Sequence, residues 1–409
     1  MGRVKIGMDI SMKGQETIVE KLERERVLSR SDYITLLQNR DEALAKELSG
    51  RAVNLREQYY GKDVYIRGLI EFTNYCKNDC FYCGIRASNS KVRRYRLSSE
   101  EILACCKRGY ALGFRTFVLQ GGEDPYFGED EISRLVEAIK REHPDCAVTL
   151  SVGEHPRAVY RRWFEAGADR YLLRHETADD AHYRMLHPVS CSPENRKRCL
   201  WDLKEIGYQV GCGFMVGSPR QTEEYLAEDL LFLHKLQPEM VGIGPFIPQY
   251  DTPFGGEPAG SIGLTLFLLG IIRIMLPDVL LPATTALNTL DSRGMEKGML
   301  AGANVCMPNL TPDRVRGQYA LYEGKDGVKG GDAGGRGAVW ESEARIAGGD
   351  AEECTPVPGG EVRAESVRKE SAATGQREAL GALRRRMEAI GYRVVTDRGD
   401  CKRKKTDPI

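Results

Sequence analysis

From Val64 onward short apolar runs alternate with helical stretches, and eight such pairs can be counted. Few folds accept that rhythm. The runs are Val64–Phe72, Thr116–Gln120, Ala147–Val152, Arg170–Arg174, Gln209–Val216, Met240–Gly244, Val279–Pro282 and Asn304–Met307. Between them, Ser98-Ser99-Glu100-Glu101, Gly128-Glu129, His155-Pro156, Ser192-Pro193-Glu194, Gln221-Thr222-Glu223 and Asp291-Ser292 read as helix starts with acidic first turns. Repeated strand–helix pairs build a parallel sheet, and eight of them close it into a barrel. The expected fold class is α/β, a (β/α)8 TIM-type barrel with N-terminal helices and a partly disordered C-terminal extension. Functional residues then belong at the C-terminal ends of the strands.

The flanks differ in texture. Residues 1–60 read as a helical cap, with Ser31 and Asp32 capping an apolar face of Tyr33, Leu36 and Leu37. The barrel is assigned to 61–325. Twelve glycines fall between Gly324 and Gly375, with few large apolar residues to offset the entropy of ordering, so 326–376 is expected to be a flexible insertion. Leu380, Leu383, Met387 and Ile390 recover helical spacing, so 377–409 is expected to hold a helix docked on the barrel and a solvated basic tail, Lys402-Arg403-Lys404-Lys405.

Lys plus Arg and Asp plus Glu are both 59, so no global field draws the chain to nucleic acid or an acidic membrane surface. Neither is expected as a partner. The most apolar stretch, Ile262 to Ile272, ends at Arg273 and Pro277-Asp278, short of the roughly 18 residues of a membrane span. Twelve scattered cysteines behind an N-terminus without an apolar leader suggest a reduced, cytoplasmic protein rather than a disulfide framework.

Three of those cysteines, Cys76, Cys80 and Cys83, share one short loop after the first strand candidate. Four-iron clusters normally take four Cys thiolates, so a compact CX3CX2C triplet leaves one iron open to a ligand that is not protein. The triplet, with Tyr82 before its last Cys, resembles the signature of the radical S-adenosylmethionine (SAM) enzymes, in which SAM chelates that fourth iron. A structural zinc site is the plain alternative. At the end of the second strand candidate stands Gln120-Gly121-Gly122-Glu123, whose glycines let backbone approach a ligand and which resembles the element those enzymes use for the methionyl amine. Arg174, His175 and Glu176 put charge at the mouth of the fourth strand, and buried charge demands a partner or a ligand. Glu176 is expected to accept the ribose hydroxyls of SAM, and the planar fork of Arg196 its carboxylate.

The resemblance narrows further. Tyr171–Ala178, Met240–Pro248, Pro282–Ala286 and Ala303–Asn309 resemble, in order, segments of the [FeFe]-hydrogenase maturase family HydE. It implies a [4Fe-4S] cluster on Cys76, Cys80 and Cys83, and SAM held by Tyr82, Gln120, Gly121, Gly122, Glu123, Ser151, Glu176, Arg196, Met215 and Ile247. It also implies a deep cavity lined by Thr149, Arg174, Thr284, Thr285, Tyr319 and Tyr322 for a small sulfur- and iron-bearing, cysteine-derived substrate. Partners implied are a ferredoxin- or flavodoxin-type electron donor and other hydrogenase maturases. Only Cys354 and Cys401 lie beyond the barrel, too few for the second cluster of some relatives. A methylornithine-synthase-like mutase, a biotin-synthase-like sulfur inserter and a zinc-stabilised scaffold are the alternatives. Cys146 and Cys212 read as packing residues.

Overall fold

The computed structural model describes residues 16–325 and 360–403. Its strands are β1 (Asp63–Ile66), β2 (Gly68–Thr73), β3 (Thr116–Gly121), β4 (Ala147–Ser151), β5 (Arg170–Leu172), β6 (Gln209–Cys212), β7 (Met215–Val216), β8 (Met240–Val241), β9 (Gly244–Pro245), β10 (Val305–Cys306) and β11 (Arg393–Val395). Every ladder is parallel. Six strands run in the order β2-β3-β4-β5-β6-β8, and β10-β1-β11 and β7-β9 form smaller sheets. Isolated bridges Met240↔Leu280 and Pro282↔Val305 carry the ring past the seventh position, and β10 pairs with β1 to close it. The architecture is the α/β barrel the alternation calls for.

Several runs are not single strands. The first breaks at Arg67, whose N–H turns to Cys306 O. The fifth breaks at Gly213, whose φ is 150 and where a Cβ would lie 2.0 Å from Gly242 O, so only glycine fits. The seventh, Val279–Pro282, contributes bridges only. Helix Gly360–Ala389 begins inside the stretch assigned to the flexible insertion, and the rest of that stretch, 326–359, lies outside the described residues. Two short helices, Asp180–Leu186 and Thr285–Leu290, were not anticipated.

The N-terminal helices Ile18–Glu25, Arg30–Gln38 and Glu42–Tyr60 lie against the barrel. Tyr33, Leu36 and Leu37 are buried, but the cap of the second helix is Ser29, whose hydroxyl accepts from Asp32 N at 3.1 Å. Asp32 thus stands in the first turn, where it pairs with Lys21 at 2.8 Å.

Beneath the barrel the chain's end acts as a plug. After the terminal helix, on which Leu380, Leu383 and Met387 are buried, β11 adds to β1, a pairing that three residues so far along the sequence do not announce. Arg170, wholly enclosed, donates to Arg398 O at 2.9 Å and to Asp400 Oδ1 at 2.6 Å. Arg403 pairs with Asp278 at 2.7 Å and Lys402 Nζ lies 5.3 Å from the centre of the Tyr60 ring. Arg403 is therefore docked, while Lys402 stays exposed as expected; the remainder of the basic run lies outside the described residues. Burial raises the Asp400 carboxyl, but Arg170, Gln209 and Arg398 outweigh it and hold it at about 2. A carboxyl depressed in the folded state stabilises above its unfolded pKa of about 3.9. The plug is expected to loosen as pH falls from about 4 towards 2, read as faster hydrogen exchange in β11, and Asp400→Asn should flatten that slope.

Candidate active site

The Cys loop follows β2, at the C-terminal end of the barrel, and is held by backbone bonds from several directions. Lys77 N donates to Glu123 O at 2.9 Å, Phe81 N to Leu186 O at 3.0 Å, and Gly84 N to Leu321 O at 2.9 Å. Asp79 takes Arg86 through two bonds and Ser88 N at 3.0 Å, and the Arg86 guanidinium keeps its carboxyl well below the usual carboxylate range. The paired glycines seat the loop. A Cβ on Gly122 would stand 2.2 Å from Tyr75 O and 2.7 Å from Cys76 Cβ, so the missing side chain admits the Cys loop itself.

Cys76, Cys80 and Cys83 are partly exposed free thiols. Burial raises Cys76 and pushes Cys83 up to about 12, while Cys80 is raised by its hydrogen bond to Cys191 and then by burial. Thiols so placed are protonated at neutral pH, and a metal taking them as thiolates must displace the protons. Among the described residues no three His, Cys, Asp or Glu side chains close on the position of one ion.

Around the loop stand the other candidates. Tyr82 packs with Leu186, Met215, Phe246 and Phe254, its hydroxyl 3.1 Å from His187 Nε2; Met215 and Ile247 are both buried. Gln120 and Ser151 are cross-strand neighbours at the ends of β3 and β4. Glu123 lies 3.2 Å from Lys77 and against Gly153, whose φ of 85 and lack of Cβ leave room for its carboxylate. Glu176 is held at φ 64, a region costly for a non-glycine residue and met at functional sites. Asp229 supports that turn from behind, accepting from Ala178 N at 2.6 Å and facing His175 at 3.2 Å.

The interior below is polar and unsatisfied. Arg174 Nη2 stands 3.1 Å from Glu176 Oε2, yet neither atom is aligned into a hydrogen bond, and Arg174 Nε, Thr149 Oγ1 and Thr284 Oγ1 are buried without a hydrogen-bond partner. Buried polar atoms are rarely left so; these fit a ligand that supplies both donors and acceptors. Thr149 lies deepest, in a small cavity with Arg67, Arg170 and Leu280. Thr285 opens helix Thr285–Leu290 behind Thr284. Tyr319 is buried, and Tyr322 is half-buried nearby in sequence. Thr284→Val, which removes an orphan hydroxyl, is expected to leave the fold as stable or about 1 kcal/mol more stable while weakening substrate binding; a melt beside a binding titration checks both.

One expected partner is engaged elsewhere. Arg196 Nε bonds Glu154, and Nη1 donates to Arg174 O at 2.7 Å. Sequence reasoning also passed over Glu154, His187 and Cys191, since nothing in local spacing ties them to the loop after β2. Cys146 and Cys212 are buried as packing residues, and Cys401 bonds Asp278 O below the barrel at 3.1 Å.

A triplet of thiols above a partly polar barrel interior defines a radical SAM enzyme, and residues 70–233 match the Radical SAM superfamily model. The chain is 48% identical over 314 residues to the [FeFe] hydrogenase maturase subunit HydE of Thermotoga maritima, covering 77% of this chain and 89% of that protein. It is 33% identical to 3-methylornithine synthase of Methanosarcina barkeri over 72% of this chain and 83% of that one. A crystal structure of methylornithine synthase superposes with a TM-score of 0.65 at 31% identity, covering 71% of this chain and 85% of that one. The chain belongs to the HydE family of radical SAM enzymes. Its cofactors are a [4Fe-4S] cluster and SAM, and the zinc-scaffold alternative is set aside.

Proposed function

We propose that this radical SAM hydrogenase maturase acts on a small sulfur- and iron-bearing, cysteine-derived molecule in the interior of its barrel. When bound, the cluster would supply the one-electron reduction that cleaves SAM. Cys76, Cys80 and Cys83 would hold three irons. Gln120, the Gly121–Gly122 backbone, Glu123 and Ser151 would orient the methionyl amine, and Glu176 the ribose, while Tyr82, Met215 and Ile247 would exclude water from the nucleoside. Arg196 would complete the SAM site by releasing Glu154 or by acting with it. Arg174, Thr149, Thr284, Thr285, Tyr319 and Tyr322 would position the substrate below, with the C-terminal plug keeping solvent from the base.

The observation that carries this reading is the set of buried side-chain atoms without a hydrogen bond on Arg174, Glu176, Thr149 and Thr284, with Arg174 and Glu176 facing each other at 3.1 Å, charges and hydroxyls suited to a small carboxylate-bearing substrate. Identity of 48% to a maturase against 33% to a mutase favours maturation over rearrangement of an amino acid. Anaerobic reconstitution, dithionite and SAM should give 5′-deoxyadenosine, and a hydrogenase-activation assay with a cysteine-bound iron carbonyl should give active enzyme. Release of 3-methylornithine from supplied amino acids would contradict the reading. Glu176→Gln is expected to weaken SAM binding about tenfold, the size of one hydrogen bond to a charged group, with iron content unchanged; equilibrium dialysis measures it. A low-potential ferredoxin or flavodoxin would donate the electron and another maturase would supply the substrate, in the cytoplasm. No helix among the described residues is long and apolar enough to cross a membrane.

A further inference from the structure

Glu176 stands at φ 64, a backbone region that a non-glycine residue keeps only where its surroundings over-determine it. Part of the hold is backbone, since Glu176 N donates to Gly213 O at 3.0 Å and Met215 N to Glu176 O at 3.3 Å. The rest falls to one side chain. Asp229, on helix Glu223–Leu236, presents Oδ1 to Ala178 N at 2.6 Å and to His175 Nε2 at 3.2 Å, and so grips the chain on both sides of Glu176. Stability does not explain this grip. Asp229 and His175 are both fully buried, and among the described residues Asp229 Oδ2 and His175 Nδ1 have no hydrogen-bond partner. Burial pushes the ring down to about 3 and the carboxyl up, so attraction between opposite charges is not what keeps them together. A buried carboxyl with one oxygen unsatisfied costs the fold more than an apolar side chain of the same shape would.

We propose that Asp229 is a positioning residue for SAM, fixing the turn that aims Glu176 at the ribose and Arg174 at the substrate. The inference rests on the reading of Glu176 as the ribose acceptor. Arg174 Nη2 and Glu176 Oε2 already stand 3.1 Å apart, so a single turn carries a cation for the substrate and a carboxylate for SAM. Its angles matter to both. Without the hold of Oδ1 on Ala178 N and His175 the chain relaxes towards ordinary backbone angles, and the Glu176 carboxylate swings away from the ribose.

The test is a double-mutant cycle read as SAM affinity, by equilibrium dialysis of the anaerobically reconstituted full-length protein. Asp229→Leu, which keeps the volume and loses the acceptor, is expected to weaken SAM binding about tenfold with iron per chain unchanged. In a Glu176→Ala background the same change should weaken it no further, because Asp229 acts through Glu176. Asp229→Asn keeps an oxygen at the gripping position and should bind SAM near the parent value. If the leucine variant does not fold, Asp229→Ala, which lets water reach the Ala178 N–H, takes its place in the cycle. Parent affinity in the leucine or alanine variant overturns the inference. So does a further loss of the same size in the Glu176→Ala background, or loss of the fold in both variants, since either would make Asp229 a structural residue alone. A Glu176→Ala variant with the parent affinity would instead overturn the reading of Glu176.

Discussion

Cys83→Ala is expected to abolish SAM cleavage and the brown colour of the reconstituted protein, with the fold intact. Burial pushes the Cys83 thiol up to about 12, so iron must displace its proton to take it as a thiolate. Two thiolates cannot retain a four-iron cluster that normally takes four, and removing one thiol leaves the backbone bonds of the loop in place. The measurements are iron per chain, 5′-deoxyadenosine after dithionite and SAM, and the thermal midpoint of the iron-free protein. Full 5′-deoxyadenosine from the variant would remove Cys83 from the cluster site.

Gly122→Ala is expected to cost nearly as much while leaving every candidate ligand present. Its Cβ would meet Tyr75 O at 2.2 Å and Cys76 Cβ at 2.7 Å, and a backbone carbonyl cannot swing aside as a side chain can. The loop must move by the better part of an ångström. Displacements of that size in a reacting constellation cost on the order of 100-fold, so SAM cleavage should fall by about that factor and iron occupancy should fall with it. Gly128→Ala, at a helix start with nothing within 4 Å of the new atom, is the control and should cleave SAM at the parent rate. Equal rates for the two variants would mean that close seating of the loop on Gly122 has no part in the chemistry.

The barrel was legible because its signals are local. Ser98, Ser192 and Thr222 do cap helices, and the runs from Thr116, Ala147, Arg170 and Gln209 do pair in order. What local pattern cannot carry is partnership across the chain. Arg393–Val395 looks like a helix trailing off until β1 is beside it, and Val279–Pro282 keeps only bridges because its neighbours β8 and β10 are themselves two residues long. In the site, spacing alone marked the three loop cysteines. The paired glycines were noticed as a ligand approach, whereas Gly122 makes room for the loop. Arg196 was read from its charge, but its engagement with Glu154 depends on where the loop after β4 comes to rest.

Mössbauer spectroscopy of protein reconstituted with enriched iron, recorded before and after SAM, tests the central claim most directly. Three protein-held irons and one iron whose spectrum changes on adding SAM are the predicted result. Four irons indifferent to SAM, or no cluster in the reconstituted chain, would contradict it.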